Sequence, residues 1–174
     1  KYRKMRYFLQ VLLAGVILSL YSVTNCFATH IYGGDLTYAC VSGNTYKVKL
    51  TLYGDCAGQN YPRLRTSYPK IKILNNTRTI DSTYLVLDTN SIVEVTPVCK
   101  AEANNTTCKG GTVPGIVKYE YTGKYMLNST STKWGFIFDG EMGSSQAGRS
   151  NATTNLSAPG TIFLESILNN TIGN

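Results

Sequence analysis

Between residues 47 and 52 the chain alternates strictly, with Lys47, Lys49 and Thr51 polar and Val48, Leu50 and Leu52 aliphatic. A period of two sends successive side chains to opposite faces of an extended strand. The aliphatic set therefore faces a core and the lysines face water. Lys70–Ile71–Lys72–Ile73–Leu74 repeats the alternation and stops at Asn75–Asn76. Asp35–Cys40 precedes the first of these strands across Ser42–Gly43–Asn44, a loop suited to a hairpin. Tyr84–Leu87 and Ile92–Val95 read as further strands around the turn-like Asp88–Thr89–Asn90, and Ile116–Tyr121 as another. Trp134–Phe138 is apolar on both faces, as a central strand is, and Thr161–Leu168 closes the sheet. Asp55–Pro69, Pro97–Pro114 and Met142–Pro159 are loops rich in Gly, Pro, Asn and Ser. No segment after residue 28 carries a helical period. Short strands with frequent turn residues predict an all-β domain over 29–174, an antiparallel β-sandwich of Ig-like or jelly-roll-like form.

A different pattern occupies residues 1–28. Lys1, Arg3, Lys4 and Arg6 form a positive region, and Phe8–Leu20 is an apolar run broken only by Gln10, Gly15 and Ser19. Cys26–Phe27–Ala28 then offers small residues at the positions signal peptidase reads, so a secretory signal peptide cleaved after Ala28 is expected. The run is shorter than the ~20 residues that span a bilayer and lacks a positive stop-transfer flank, so no stable membrane span is expected after cleavage. Lipidation at Cys26 is the rival, with Asn25 a poor residue before a lipidated cysteine. The chain reaches Asn174 without a closing feature, and a longer protein is expected to continue from it.

Removing the leader changes the charge picture. The whole chain is +7, but four of its seventeen basic residues and none of its ten acidic ones lie before Thr29. The remainder is +3, ordinary for an exposed surface, and nucleic acid is not an expected partner. Cys40, Cys56, Cys99 and Cys108 remain, an even number without a C-x-x-C pair, which favours disulfides in an oxidising compartment over metal binding. Three connectivities exist. A loop containing Asn104–Asn105 and flanked by Pro97 and Gly110–Gly111 lets the chain turn enough to pair Cys99 with Cys108, which leaves Cys40–Cys56 by elimination. The hairpin opposes that second pair, because Cys56 then lies far along the strand from Cys40 unless the chain reverses near Gly54.

Catalytic chemistry finds little material. His30 is the single histidine and sits beside the expected mature N-terminus, which leaves Ser-His-Asp or Cys-His mechanisms and zinc without their usual imidazole. Asp139 and Glu141 are two apart, the spacing of a same-face acid pair, but Asp139–Gly140–Glu141 reads more simply as a turn. Asp88, Asn90 or Asp139 could supply oxygens to calcium, without any twelve-residue loop pattern around them. No enzyme activity, cofactor or metal is therefore expected. Tyr119, Tyr121 and Tyr125, interleaved with Lys118, Glu120 and Lys124, form a candidate sugar- or protein-binding face, against the plainer reading of aromatic pairing on a half-buried sheet. Asn75, Asn104, Asn105, Asn128, Asn151, Asn155 and Asn169 each begin an N-x-S/T triplet, which marks surface loops.

Thr29–His30–Ile31–Tyr32–Gly33–Gly34–Asp35, running on to Tyr38–Ala39–Cys40, resembles the mature start of the gliding-motility-associated and PKD-repeat surface proteins of the Bacteroidetes. Leu50–Thr51–Leu52–Tyr53–Gly54–Asp55–Cys56 resembles their strand ending in Tyr-Arg-Asp-Cys, with Gly54 in place of the arginine. Cys99 and Cys108 resemble the next cysteine pair of that family. Arg149–Leu156 resembles its Cys-Cys-Arg-Asn segment, with Ala147 and Gly148 in place of the two cysteines. The resemblance implies the first domain of a long, multi-domain protein at the cell surface, exported by type 9 secretion and serving adhesion or gliding. Its implied partners are other domains of the same long chain, surface proteins or glycans. Edman degradation of the exported protein should read Thr29–His30–Ile31, and recovery of the intact Phe8–Leu20 segment would refute the cleaved leader.

Overall fold

The computed structural model describes residues 31–58, 64–142 and 162–171. The apolar leader with its Ala28 boundary, Cys26, His30 and the Arg149–Leu156 segment lie outside the described residues. In chain order the strands are β1 (Ile31–Ser42), β2 (Thr45–Asp55), β3 (Lys70–Asn75), β4 (Arg78–Tyr84), β5 (Val86–Leu87), β6 (Val93–Glu94), β7 (Ile116–Met126), β8 (Trp134–Phe138) and β9 (Leu164–Leu168). Two 3₁₀ turns, Thr89–Ser91 and Thr107–Lys109, lie in the connections before and after β6.

The strands form two antiparallel sheets packed face to face, as the alternation predicts. The first runs β1-β2-β7-β5, with β6 also paired to β7, and the second runs β4-β3-β8-β9. Parity decides which side chains enter the space between them. Leu36, Val48, Leu50, Leu52, Val117, Tyr119 and Tyr121 come from the first sheet, and Ile71, Ile73, Trp134, Phe136 and Phe138 from the second. Tyr38 meets Tyr46 edge-on with ring centroids 6.0 Å apart and lies 5.9 Å from Phe136, joining the two layers. The chain crosses from β4 to β5 through one residue, Leu85, whose amide donates to the Pro69 carbonyl and whose side chain is fully buried. Gly123 of β7 makes that plug fit, since a Cβ there would lie 2.8 Å from Leu85 Cδ2.

Polar ties close the sides. At one, Tyr125 of β7 donates to the Asp81 carboxylate of β4 at 2.7 Å; burial and then this bond push the Tyr125 phenol up to about 12. At the other, Tyr38 of β1 donates to the Ile167 carbonyl of β9 at 2.9 Å. Asn170, buried just after β9, accepts from the Ser131 amide and donates to the Ser129 carbonyl and the Asn44 side chain. One amide thereby joins the β1–β2 hairpin, the β7–β8 loop and the end of β9.

The disulfide joins Cys56 to Cys108, not Cys99 to Cys108 or Cys40 to Cys56. The objection raised by the hairpin holds: Cys40 pairs with Tyr46, so Cys56 lies ten positions further along the partner strand, about 33 Å away at ~3.3 Å per residue. Cys56 instead extends the β2–β7 ladder, its amide donating to the Gly115 carbonyl at 3.0 Å. The Thr107–Lys109 turn folds over the same spot, where the Thr107 hydroxyl accepts from the Gly115 amide. A Cβ at Gly115 would sit 2.5 Å from Cys108 Sγ, so glycine leaves the room the bridge occupies. Cys40, in β1, and Cys99, in the connection between β6 and β7, are exposed and outside the bridge. Closing a 52-residue separation restricts the unfolded chain, and replacing both bridge cysteines by serine should cost about 2–4 kcal/mol, roughly 10 °C in Tm. Non-reducing peptide mapping should return Cys56 linked to Cys108, with Cys40 and Cys99 alkylated before reduction.

Candidate functional site

The tyrosines expected to form a binding face do not form one. Tyr119 and Tyr121 are fully buried, the latter donating its hydroxyl to the Leu64 carbonyl at 2.6 Å. Tyr125 shares their parity and is spent on Asp81. Since Lys118 and Glu120 point outward, the residues that alternate with them point inward. Across the ladder Tyr119 and Tyr121 stand opposite Leu52 and Leu50, and Tyr125 opposite Tyr46.

The other proposed sites resolve into structural contacts. Asp139 pairs with Lys72, and Glu141 with Lys70 at 3.2 Å, so each carboxylate at the end of β8 answers a lysine on the outer face of β3. Hydrogen bonding to Glu141 raises the Lys70 ammonium above its ordinary range. Asp88 caps the first 3₁₀ turn, accepting from the Asn90 amide at 3.0 Å. Among the described residues no three His, Cys, Asp or Glu side chains come together as a metal site, and no helix is long and apolar enough to cross a membrane.

A concavity does exist on the opposite face of the tyrosine-bearing sheet. Tyr32, Gly33, Tyr53, Val95, Pro97, Ile116 and Lys118 line an open groove of ≈ 370 Å³. The strand register builds it. Gly33 of β1 lies opposite Tyr53 of β2, Tyr53 opposite Lys118 of β7, and Lys118 opposite Val93 of β6. Val95 continues β6 by donating its amide to the Ile116 carbonyl at 2.8 Å. Two residues of β1 span one of β2 between Ile31 and Gly33, and this bulge re-aims Tyr32 toward the groove. Tyr32 remains 51% exposed although its hydroxyl is bonded to Asp55. Burial first, then the charge and hydrogen bond of Asp55, raise its phenol pKa, so the ring is fixed as a neutral donor.

Gly33 forms the floor. A Cβ at this position would meet nothing within 4 Å, so the missing side chain is what keeps the groove open beside Tyr53. Lys118 holds the rim, bonded to Glu120 at 3.1 Å, and Glu120 also pairs with Lys49 at 3.8 Å. The site thus combines two aromatic side chains, aliphatic walls and a cation, with Tyr32 on the edge strand β1 and Tyr53 and Lys118 on the internal strands β2 and β7. That arrangement suits binding of a flat, partly apolar ligand. The signal that could have found it is parity: Tyr53 alternates out of phase with Val48, Leu50 and Leu52 and must share the face of Lys47 and Lys49.

Comparison with protein families, with curated proteins and with solved structures finds no match for the chain.

The two neighbouring glycines of β1 give the site a check. Gly33→Ala should keep or raise stability by up to about 1 kcal/mol, because the backbone is not left-handed and the space is open. Gly34→Ala should cost about 1–3 kcal/mol, because its Cβ would lie 2.7 Å from the Thr51 carbonyl oxygen. Thermal denaturation of both variants would overturn this geometry if they moved together.

Proposed function

We propose that the chain is a non-enzymatic adhesive or structural domain of an exported cell-surface protein, one that binds and does no chemistry. The observation that carries this reading is the open groove over Gly33, where Tyr32 is exposed and Tyr53 half-buried on the outer face of a sheet whose other face packs into the core. The leader-like pattern of residues 1–28 and the Cys56–Cys108 bridge suit an oxidising, extracellular location. The resemblance of the Thr29–Cys40 segment to gliding-motility-associated and PKD-repeat proteins supports the same setting, with type 9 secretion as the route. Partners in that setting are other domains of the same long chain, surface proteins or glycans.

A second reading, a carbohydrate-binding module of a secreted enzyme, draws on the exposed Tyr32 ring and the half-buried Tyr53 ring that line the groove. The two part on what the reading frame encodes after Asn174: Ig-like or PKD repeats fit the first, a catalytic domain the second.

Beads carrying the exported chain should stay on a surface coated with cell-envelope glycans and proteins after washing, and beads carrying Gly33→Trp should be lost. Equal retention would remove the groove from the proposal. Turnover in a glycosidase, esterase and peptidase screen that disappears in Asp139→Asn or Glu141→Gln would overturn the non-enzymatic reading.

A further inference from the structure

We propose that the outer face of the first sheet is a binding lane for a linear anionic polysaccharide, its sugar rings seated at the Tyr32–Tyr53 groove and its acidic groups drawn to lysines along β2 and β7. The inference rests on the binding role given to the groove above and names what it takes.

The register lays out the face row by row. Nearest the disulfide, Gly33, Tyr53, Lys118 and Val93 lie side by side. The next outward row is Asp35, Thr51 and Glu120; the next Thr37, Lys49, Thr122 and Val86; the last Ala39, Lys47 and Lys124. From Tyr53 to Lys47 is six positions of strand, about 20 Å at ~3.3 Å per residue, room for several sugar rings laid end to end.

The last row carries an unexplained cost. Lys47 and Lys124 are exposed and directly opposite each other across the ladder, where like charges repel. Among the described residues neither has a carboxylate partner, whereas Lys49 and Lys118 share Glu120, and Lys70, Lys72 and Lys109 each have an acid of their own. An anion lying between the two ammonium groups would relieve the repulsion. Both strands are internal, so their backbone groups are already paired and offer nothing to an added peptide strand. What the lane presents is side chains: the Tyr32 and Tyr53 rings with Lys118 at one end, Lys47 and Lys124 at the other, and between them the carboxylates of Asp35 and Glu120, the latter already answered by Lys49 and Lys118. A uronate or sulfated glycan has both complements on one repeating chain, an apolar ring face and a regular acidic group. An acidic peptide lacks the rings; single-stranded nucleic acid offers bases that stack on tyrosine, and the gels below separate it from a glycan.

The test is affinity electrophoresis of the exported chain in gels containing alginate or polygalacturonate, with dextran as the neutral probe and poly-glutamate and single-stranded DNA as non-glycan polyanions. Wild type should be retarded by the uronates only. Retardation should fall about tenfold as salt rises from about 0.1 to about 1 M, which shortens the screening length from about 10 to about 3 Å. Lys47→Gln/Lys124→Gln should weaken uronate binding to a similar extent while melting at or above the wild-type temperature, since the repulsion is gone. Gly33→Trp should abolish binding. Retardation by dextran that is lost in Gly33→Trp but indifferent to the two lysines would overturn the anionic lane and leave the groove's binding role intact. Equal retardation by poly-glutamate or DNA would overturn the glycan assignment. No effect of Gly33→Trp in any gel, together with equal bead retention, would sink both readings.

Discussion

The eleven-residue antiparallel ladder between β2 and β7 is the constraint on which the other features depend. It joins residues such as Leu50 and Tyr121 that lie far apart in sequence, and it occupies the middle of the first sheet. Its pleat divides two strands into two inventories. One face supplies Tyr46, Val48, Leu50, Leu52, Val117, Tyr119 and Tyr121 to the core, and the other carries Lys47, Lys49, Tyr53, Lys118 and Glu120. A slip of one residue would exchange the two sets completely. Core and groove are therefore fixed by the same register, and the burial that holds the fold also holds the outward tyrosine in place.

Around the ladder, a few polar contacts prevent the looser parts from drifting. The Cys56–Cys108 bridge fastens the long connection before β7 to the end of β2. Within that connection Lys109 reaches Glu94 of β6 at 3.4 Å, and Glu94 also accepts from Thr96. The Thr96 hydroxyl accepts in turn from the Ile116 amide at the start of β7. The groove wall formed by Val95 and Pro97 thus sits between a covalent tie and a chain of hydrogen bonds, although β6 itself is only two residues long.

The strands that bury one face were legible. Lys47–Leu52 and Lys70–Leu74 announce themselves because water and core impose opposite demands on alternate residues, and Trp134–Phe138 because a central strand is apolar on both faces. Arg78–Tyr84 escaped for the complementary reason. It is an edge strand exposed along nearly its whole length, held by pairing with β3, so its composition answers to neither face. The turn before it was visible: Asn76 adopts the left-handed conformation, φ 54°, between Asn75 and Arg78. The cysteine pairing was not legible, because it depends on how the Pro97–Pro114 connection folds back on Gly115, a contact with no local signature. The groove was half legible. Parity assigns Tyr53 to the outer face, but the bulge that brings Tyr32 beside it appears only once β1 and β2 are paired.

The direction of the outermost strands has a mechanical consequence. β1 begins at the disulfide end, and β9 runs alongside it the same way: Gly34 lies near Leu164, Tyr38 bonds Ile167, and Asn170 reaches the hairpin at Asn44. The chain therefore enters the sandwich at one end and leaves β9 at the other. Tension applied through Ile31 and Thr171 would pull β1 and β9 lengthwise along their partners, loading each ladder in shear, with many hydrogen bonds strained together. Peeling, which breaks them one at a time, would not be the favoured route. In the adhesive role proposed above, strand direction alone would supply resistance to drag.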